Sequence, residues 1–323
     1  MISMSKQGNI RLAVIMDPIE SINIKKDSTF AMMLEAQRRG WQLLYLLQSD
    51  LYLENGVVYA QVQTVTVKDD ASGWFTLENP QTIPLHELDV VLMRKDPPFD
   101  MEYIYSTYLL EIAEKQGLLV VNRSDSIRAC NEKLFATWFP QYTPETLVTR
   151  DMARIRAFHD AQGRIVVKPL DGMGGSMIFQ IQENDANRNV ILETITNYGQ
   201  RTVMAQRFLP EYKQGDKRIL IINGIPFPHA LARIPAAGEG RANLAAGGSY
   251  KGVDLSEREF EMCEYIAPVL KEKGLLFVGL DVIGDYITEI NVTSPTCIRE
   301  LDHIYSANIA GLLMDAIEEQ SGY

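Results

Sequence analysis

Apolar residues in this chain gather in short continuous blocks, and between the blocks they recur at helical spacing. Short blocks bounded by turn residues predict strands, and the spaced stretches predict helices. Residues 10–16 form one block, closed by Asp17-Pro18. Ser28 is placed to cap a helix running to Arg39, with Gly40 as its stop, and residues 41–47 predict the next strand. The first loop of this β-α-β unit holds no glycine, so the fingerprint of dinucleotide-binding folds is missing there. Residues 88–94 predict a further strand that runs into Lys95-Asp96-Pro97-Pro98, where two prolines force the chain out of regular structure. In open α/β sheets ligands bind at that end of a parallel strand. A helix over 101–116 and a strand over 118–121 complete the first unit.

After Thr143-Pro144-Glu145 the pattern changes. Asp151 is placed to cap a helix stopped by Gly163, and 164–168 predicts a strand. Asn223-Gly224, between 219–222 and a block starting at Ile225, predicts a hairpin, because Asn-Gly readily supplies two positive φ angles. A late helix opens on a Ser256/Glu259 capping box and contains Pro268, which predicts a bend or a break. Hairpins mixed with helices predict an α+β second half.

Length and charge narrow the function. A chain of 323 residues suggests about two domains. Its 31 basic and 42 acidic side chains give a net charge of −11, which excludes a generic nucleic-acid binder. It leaves room for phosphate chemistry, since a few cations in one cleft can outweigh a distant acidic surface. The cysteines, Cys130, Cys263 and Cys297, are odd in number and widely spread, arguing against a disulfide framework and for a reducing, cytoplasmic setting. Residues 1–8 lack the apolar stretch of a signal peptide, and no apolar block approaches the ~20 residues of a membrane span.

Three segments carry candidate chemistry. In Val167-Lys168-Pro169-Leu170-Asp171-Gly172-Met173-Gly174-Gly175 a strand delivers a lysine to a loop with three glycines. Glycines let backbone N–H groups approach phosphate oxygens, and the lysine adds a point charge. The plainer alternative is an ordinary glycine-rich hairpin. Further on, Glu289 and Asn291 are two apart and share one face of a strand; with Asp281 they form a set of hard oxygen ligands suited to Mg²⁺ between protein and phosphates. The alternative is the solvated face of an edge hairpin. Turn length decides: a two-residue Gly284-Asp285 turn pairs Asp281 with Thr288, while a three-residue turn pairs it with Glu289 and brings the ligands together. The third segment, 233–252, is rich in alanine and glycine and reads equally as a disordered loop or as a lid carrying Arg233 and Arg241. His86, His159, His229 and His303 show no ligand spacing, so no zinc site is predicted. Cys130 and Cys263 are read as packing residues on helices, and Cys297 as a buried thiol close to the candidate site.

The order of segments then becomes informative. Asp17-Pro18-Ile19, Arg94-Lys95-Asp96-Pro97-Pro98, Asn131-Glu132-Lys133, Lys168-Pro169-Leu170-Asp171-Gly172-Met173-Gly174-Gly175 and Glu289-Ile290-Asn291-Val292-Thr293-Ser294-Pro295-Thr296 follow one another as in bacterial glutathione synthetases, which belong to the ATP-grasp ligases. The lysine/glycine loop and Glu-x-Asn are common to the superfamily. The Arg-Lys-Asp-Pro-Pro and Asn-Val-Thr-Ser-Pro-Thr segments are specific to this branch.

The resemblance, from Ile10 to about Glu318, implies a Rossmann-like N-terminal α/β domain over 1–129 and a two-lobed ATP-grasp fold. The small lobe would span 130–200 and the large lobe 201–323, with the 233–252 lid. It implies ligation of γ-L-glutamyl-L-cysteine with glycine and ATP, giving glutathione, ADP and phosphate. Carried over by position, Lys133, Lys168, Gly172, Gly174 and Gly175 contact ATP phosphates, and Gln206, Phe208 and Leu209 hold adenine with Asp216 near the ribose. Asp281, Glu289 and Asn291 hold two Mg²⁺ ions, which Mn²⁺ can replace; Arg233 and Arg241 act in catalysis; Arg94, Ser294 and Thr296 bind substrate. A cytoplasmic homo-oligomer, often a tetramer, follows from the same likeness. Two alternatives stand beside it: another ATP-grasp carboxylate–amine ligase, and a non-catalytic ATP-binding module.

Overall fold

Strands that are buried on both faces read as unbroken apolar runs, and the first strand is one of these. In β1 (Arg11–Ile15), Leu12 and Val14 enter one apolar cluster while Ala13 and Ile15 enter another. The computed structural model describes residues 9–236 and 248–322. After β1 come α1 (Ser28–Arg38) and β2 (Gln42–Leu46), then β3 (Leu51–Glu54), β4 (Val57–Val67), β5 (Phe75–Leu77) and β6 (Gln81–Pro84). The first unit closes with β7 (Val90–Met93), α2 (Met101–Glu114), β8 (Leu119–Val121) and α3 (Ser124–Ala129). Strands β2, β1, β7 and β8 pair in parallel, as the β-α-β reading requires. The sequence reading passed over the antiparallel run β3–β6, which extends the sheet beyond β2.

The cap of α1 differs from the one predicted. Asp27, not Ser28, accepts the Phe30 N–H, at 2.6 Å. Ser28 Oγ instead accepts from Ile298 N at 3.1 Å, tying the first unit to the end of the chain. A cap side chain must sit before the first helical residue, and Asp27 has the extended backbone that position needs.

The second unit contains β9 (Thr146–Thr149), α4 (Met152–Gln162), β10 (Ile165–Pro169), β11 (Phe179–Ile181), α5 (Arg188–Ile195) and β12 (Val203–Arg207). Its strands form an antiparallel sheet in the order β11-β10-β12-β9. Asp151 and Gly163 bound α4 as predicted. The third unit holds β13 (Asp216–Ile222), β14 (Ile225–Ile234), β15 (Ser249–Asp254), α6 (Glu257–Glu272), β16 (Phe277–Ile283), β17 (Tyr286–Asn291), α7 (Ile298–Tyr305) and α8 (Ile309–Ser321). Its sheet runs β15-β14-β13-β16-β17. The Asn223-Gly224 hairpin and the Ser256/Glu259 capping box both form.

Pro268 does not break α6. Met262, Cys263 and Ile266 on one side of the proline and Leu270 on the other are all buried in one core cluster. That burial holds both halves of the helix and offsets the one missing hydrogen bond. Cys130 caps α3 rather than lying within it, and all three cysteines are buried and unpaired. The predicted 20-residue loop is shortened at both ends, since β14 continues to Ile234 and β15 starts at Ser249. Arg241 and residues 237–247 lie outside the described residues. Helices α7 and α8 pack on α1, with Ile298, Leu313 and Met314 joining Phe30 and Met33 in one core.

Candidate functional site

The predicted ligand hairpin forms, by a different route. Ile283 pairs with Tyr286, so Gly284-Asp285 is a two-residue turn. A bulge between Asp281 and Val282 then steps the register, and Asp281 faces Glu289 while Gly279 faces Asn291. The extra residue is Thr288. A bulged residue is left unpaired in the ladder, and the Thr288 carbonyl accepts the Lys168 ammonium from β10 at 3.0 Å. One irregularity therefore brings the two acids together and joins the sheet of β10 to the sheet of β17.

Across from β17, Lys133 Nζ donates to Gly172 O at 2.7 Å and to Glu289 Oε1 at 2.8 Å. A single ammonium thus meets the glycine loop and the ligand strand. Gly174 and Gly175 both have positive φ, which side chains resist, and both line the cleft. Between these elements lies a cavity of about 340 Å³. Its walls include Lys133, Lys168, Gly172, Gly174, Gly175, Gln206, Phe208, Leu209, Asp216, Arg233, Asp281, Glu289, Asn291, Ser294 and Thr296. Every predicted site residue within the described chain lines it except Arg94.

Arg94 is buried elsewhere. Its Nε donates to Thr29 Oγ1 at 3.0 Å and its Nη2 to Pro295 O at 2.9 Å, so it braces the loop that carries Ser294 and Thr296. Arg233 is also placed differently from the lid reading: it belongs to β14, buried, with Nη2 2.6 Å from Asp216 and 3.0 Å from Asp281. Cys297 is buried and lines the cleft.

Two residues were missed by the sequence reading. Arg218 Nε and Nη2 reach Asp281 at 2.5 and 3.0 Å, a buried bidentate pair. The signal lay in the two-residue period of β13, which puts Asp216 and Arg218 on one face. Glu132 was read only as part of a motif, yet its Oε1 accepts from Val292 N, Thr293 N and Thr293 Oγ1 at 2.9, 3.0 and 2.8 Å.

Electrostatics follow from burial and pairing. Burial pushes the Lys168 ammonium down to about 8, against weaker support from Glu289. Burial also opposes charge on Lys133, but Glu289, with Glu132 and Asp281 behind it, outweighs burial and holds this lysine above its ordinary value. Burial raises the carboxyl of Asp216, and its Oδ1 has no hydrogen-bond partner. Asp281 is held well below the usual carboxylate range, because Arg218 and Arg233 overcome its burial.

The donors Asp281, Glu289 and Asn291 are all oxygen, as a hard divalent cation requires. Asn291 Nδ2 donates to Gly279 O at 3.1 Å, which leaves its amide oxygen as an acceptor, and Glu289 uses only Oε1 on Lys133. Among the described residues no three His, Cys, Asp or Glu side chains form a cage by themselves. Both Asp281 oxygens are already held by Arg218 and Arg233, so Glu289 and Asn291 offer the free oxygens, and a cation here takes its remaining ligands from phosphate oxygens and water.

Comparison with solved structures shows the fold. D-cycloserine synthetase DcsG superposes with a TM-score of 0.68 at 14% identity, covering 96% of this chain and 99% of that one. The ATP-grasp ligase PsnB, solved with a minimal precursor, gives 0.63 at 16% identity, covering 97% and 100%. The fold is that of an ATP-grasp ligase. Family models narrow it: prokaryotic glutathione synthetase, N-terminal domain, matches residues 10–128, and prokaryotic glutathione synthetase, ATP-grasp domain, matches 132–306. Glutathione synthetase of Vibrio vulnificus (strain YJ016) is 60% identical over 311 residues, 96% of this chain and 98% of that protein. Glutathione synthetase of Escherichia coli (strain K12) is 56% identical over 309 residues, again 96% and 98%. The chain belongs to the prokaryotic glutathione synthetase family. Among the described residues no helix is long and apolar enough to cross a membrane.

Proposed function

We propose that the cleft described above is the site of an ATP-dependent peptide ligation, with each residue acting as follows. The chain joins γ-L-glutamyl-L-cysteine to glycine, forming glutathione, ADP and phosphate. The observation that carries the residue assignment is Lys133, whose ammonium spans from Gly172 O to Glu289 Oε1.

A carboxylate resists attack by an amine at neutral pH. Transfer of the ATP γ-phosphoryl group to the cysteinyl carboxylate forms a new C–O–P link and releases ADP. The glycine amine then attacks the acyl carbon, phosphate departs with the bonding pair, and the proton lost by the amine goes to the released phosphate. The protein's part is to position the groups and neutralise charge. Adenine is assigned to the slot at Gln206, Phe208 and Leu209, and the ribose to Asp216, whose unpartnered Oδ1 supports that role. Lys133, Lys168 and loop residues Gly172, Gly174 and Gly175 are assigned to the phosphates. A divalent cation, Mg²⁺ or Mn²⁺, would be held by Asp281, Glu289 and Asn291 and would supply charge neutralisation at the phosphates. Arg233, with Arg241 from outside the described residues, is assigned to the charge that develops on the transferring group. Ser294 and Thr296 offer hydroxyls to the peptide substrate, and Arg94 acts on them through Pro295.

The same reading divides the chain into an N-terminal domain over 1–129 and ATP-grasp lobes over 130–200 and 201–323, in a cytoplasmic homo-oligomer. Phosphate release with γ-glutamylcysteine plus glycine, compared with D-alanine or glutamate in place of glycine, tests the substrate pair. Turnover only with a different pair would overturn it. Glu289→Gln tests the site: the Mg²⁺ concentration for half-maximal rate should rise at least about tenfold, and an unchanged requirement would remove the metal assignment.

A further inference from the structure

β17 is the outer strand of its sheet, so one row of its backbone groups has no strand to pair with. Glu132 meets the end of that row with its backbone and the two residues just past the strand with its side chain. Its carbonyl accepts from Ile290 N at 2.9 Å, and its side-chain Oε1 accepts from Val292 N and from both donors of Thr293. The neighbours of Glu132 reach the other way. Asn131 Nδ2 donates to Leu170 O at 2.9 Å, and Lys133 Nζ donates to Gly172 O at 2.7 Å. Three consecutive residues thus hold the glycine-rich loop on one side and the ligand strand on the other. The two elements are not otherwise neighbours in sequence, lying more than a hundred residues apart.

We propose that Glu132 is a positioning residue: by holding the backbone just past β17, at Val292 and Thr293, its side chain fixes the end of the strand bearing Glu289 and Asn291 against the glycine loop, and so sets how strongly a divalent cation tightens nucleotide binding. This rests on the assignment of Glu289 and Asn291 to the cation and of the loop to the phosphates. The side chain acts as an acceptor, through one oxygen that collects three donors. Its charge is not the working feature, so a glutamine carbonyl in the same place should serve.

The test is calorimetric titration of the full-length protein with ADP, with and without Mg²⁺, and needs no turnover. The readout is the ratio of the two affinities, which a general loss of stability would not move. Glu132→Ala should leave metal-free ADP binding within about threefold and cut the Mg²⁺-dependent gain by about tenfold, as loss of groups orienting metal ligands does. Glu132→Gln should keep that gain within about threefold. If Glu132→Ala does not fold, Thr293→Val removes one of the three donors and should cut the gain by about threefold. A full gain in folded Glu132→Ala, or in Thr293→Val where alanine fails, overturns the proposal. Equal loss in Gln and Ala overturns the acceptor role. Glu289→Gln and Asn291→Ala separate this from the reading beneath it: if both keep the gain, the metal assignment has failed, whatever Glu132 does.

Discussion

Lys168 gives the most demanding test of the phosphate site. It is buried, its ammonium meets a carbonyl oxygen at 3.0 Å, and burial lowers its pKa from 10.5 to about 8. That lowering corresponds to about 3 kcal/mol of lost preference for the charged form. The sign for stability follows: between pH 8 and 10.5 the unfolded chain holds a proton that the folded chain has released, so this residue's cost to the fold is full below pH 8 and fades as pH rises. On the phosphate assignment proposed for Lys168, a bound phosphate restores the charge by supplying an anion. Nucleotide binding must therefore take up a proton, about 0.1 per site at pH 7, about 0.5 at pH 8 and about 0.9 at pH 9. Phosphate groups themselves titrate near 6 and contribute little above pH 7.5. Titration calorimetry of Mg·ADP in two buffers of different ionisation enthalpy reads the uptake directly. Lys168→Met should abolish it and lower nucleotide affinity. An uptake that stays near zero from pH 7 to 9 in the unmodified protein, or that survives in Lys168→Met, would refute the argument.

Other consequences can be checked together. Arg218→Met strips Asp281 of its bidentate partner and leaves it Arg233 alone; a fully uncompensated buried charge costs about 3–5 kcal/mol, so with Arg233 still in place a loss of about 2–3 kcal/mol is expected, a fall in Tm of about 3–4 °C for a chain of this length. Adding Asp281→Leu should return more than half of that loss, and no recovery would mean the pair is not what holds this part of the core. Asp302 accepts from Ile309 N at 2.9 Å, and burial pushes its carboxyl up to about 6. The folded chain then holds a proton that the unfolded chain lacks between pH 3.8 and 6, so the stabilising contribution is present at low pH and lost as pH rises through 6. Asp302→Asn should raise Tm at pH 7.5 and bring no gain at pH 4; equal gains at both would exclude this linkage.

What the sequence made legible, and what it did not, divides along local and long-range physics. The Asn223-Gly224 turn, the Ser256/Glu259 box and the Asp151/Gly163 bounds are set by backbone preferences within a few residues, and all three were readable. Pro268 was misread because the local rule for proline competes with an apolar face that only the folded sheet provides. Turn length in the β16–β17 hairpin was the right question, but a bulge at Thr288 changes register without changing the turn. A bulge carries no reliable residue signature, so it was invisible. Arg94 illustrates the converse: its motif marks the family correctly, but gives no sign that its guanidinium bonds to Thr29 and to the Pro295 carbonyl.

Charge is where sequence and structure part most usefully. The cations near the candidate motifs suggested a positive cleft within an acidic protein. Among the described residues lining it, Lys133, Lys168, Arg207, Arg218 and Arg233 are matched by Asp96, Glu132, Asp216, Asp281 and Glu289, so the formal charge is zero. Most of these cations are already engaged: Lys133 with Glu289, Arg218 with Asp281, Arg233 with Asp216 and Asp281, and Arg207 with Glu145 beyond the cavity wall. A bare triphosphate entering such a site would bring several negative charges that only broken pairs could balance. A triphosphate arriving with divalent cations brings its own balance, and the neutral cleft then has no charge to make up. Lys168 stands apart, since among the described residues its ammonium bonds to the Thr288 carbonyl and to no carboxylate. It can meet a phosphate without first giving up an ion pair. Burial lowers its pKa, and the absence of a carboxylate partner leaves its charge free for an incoming anion.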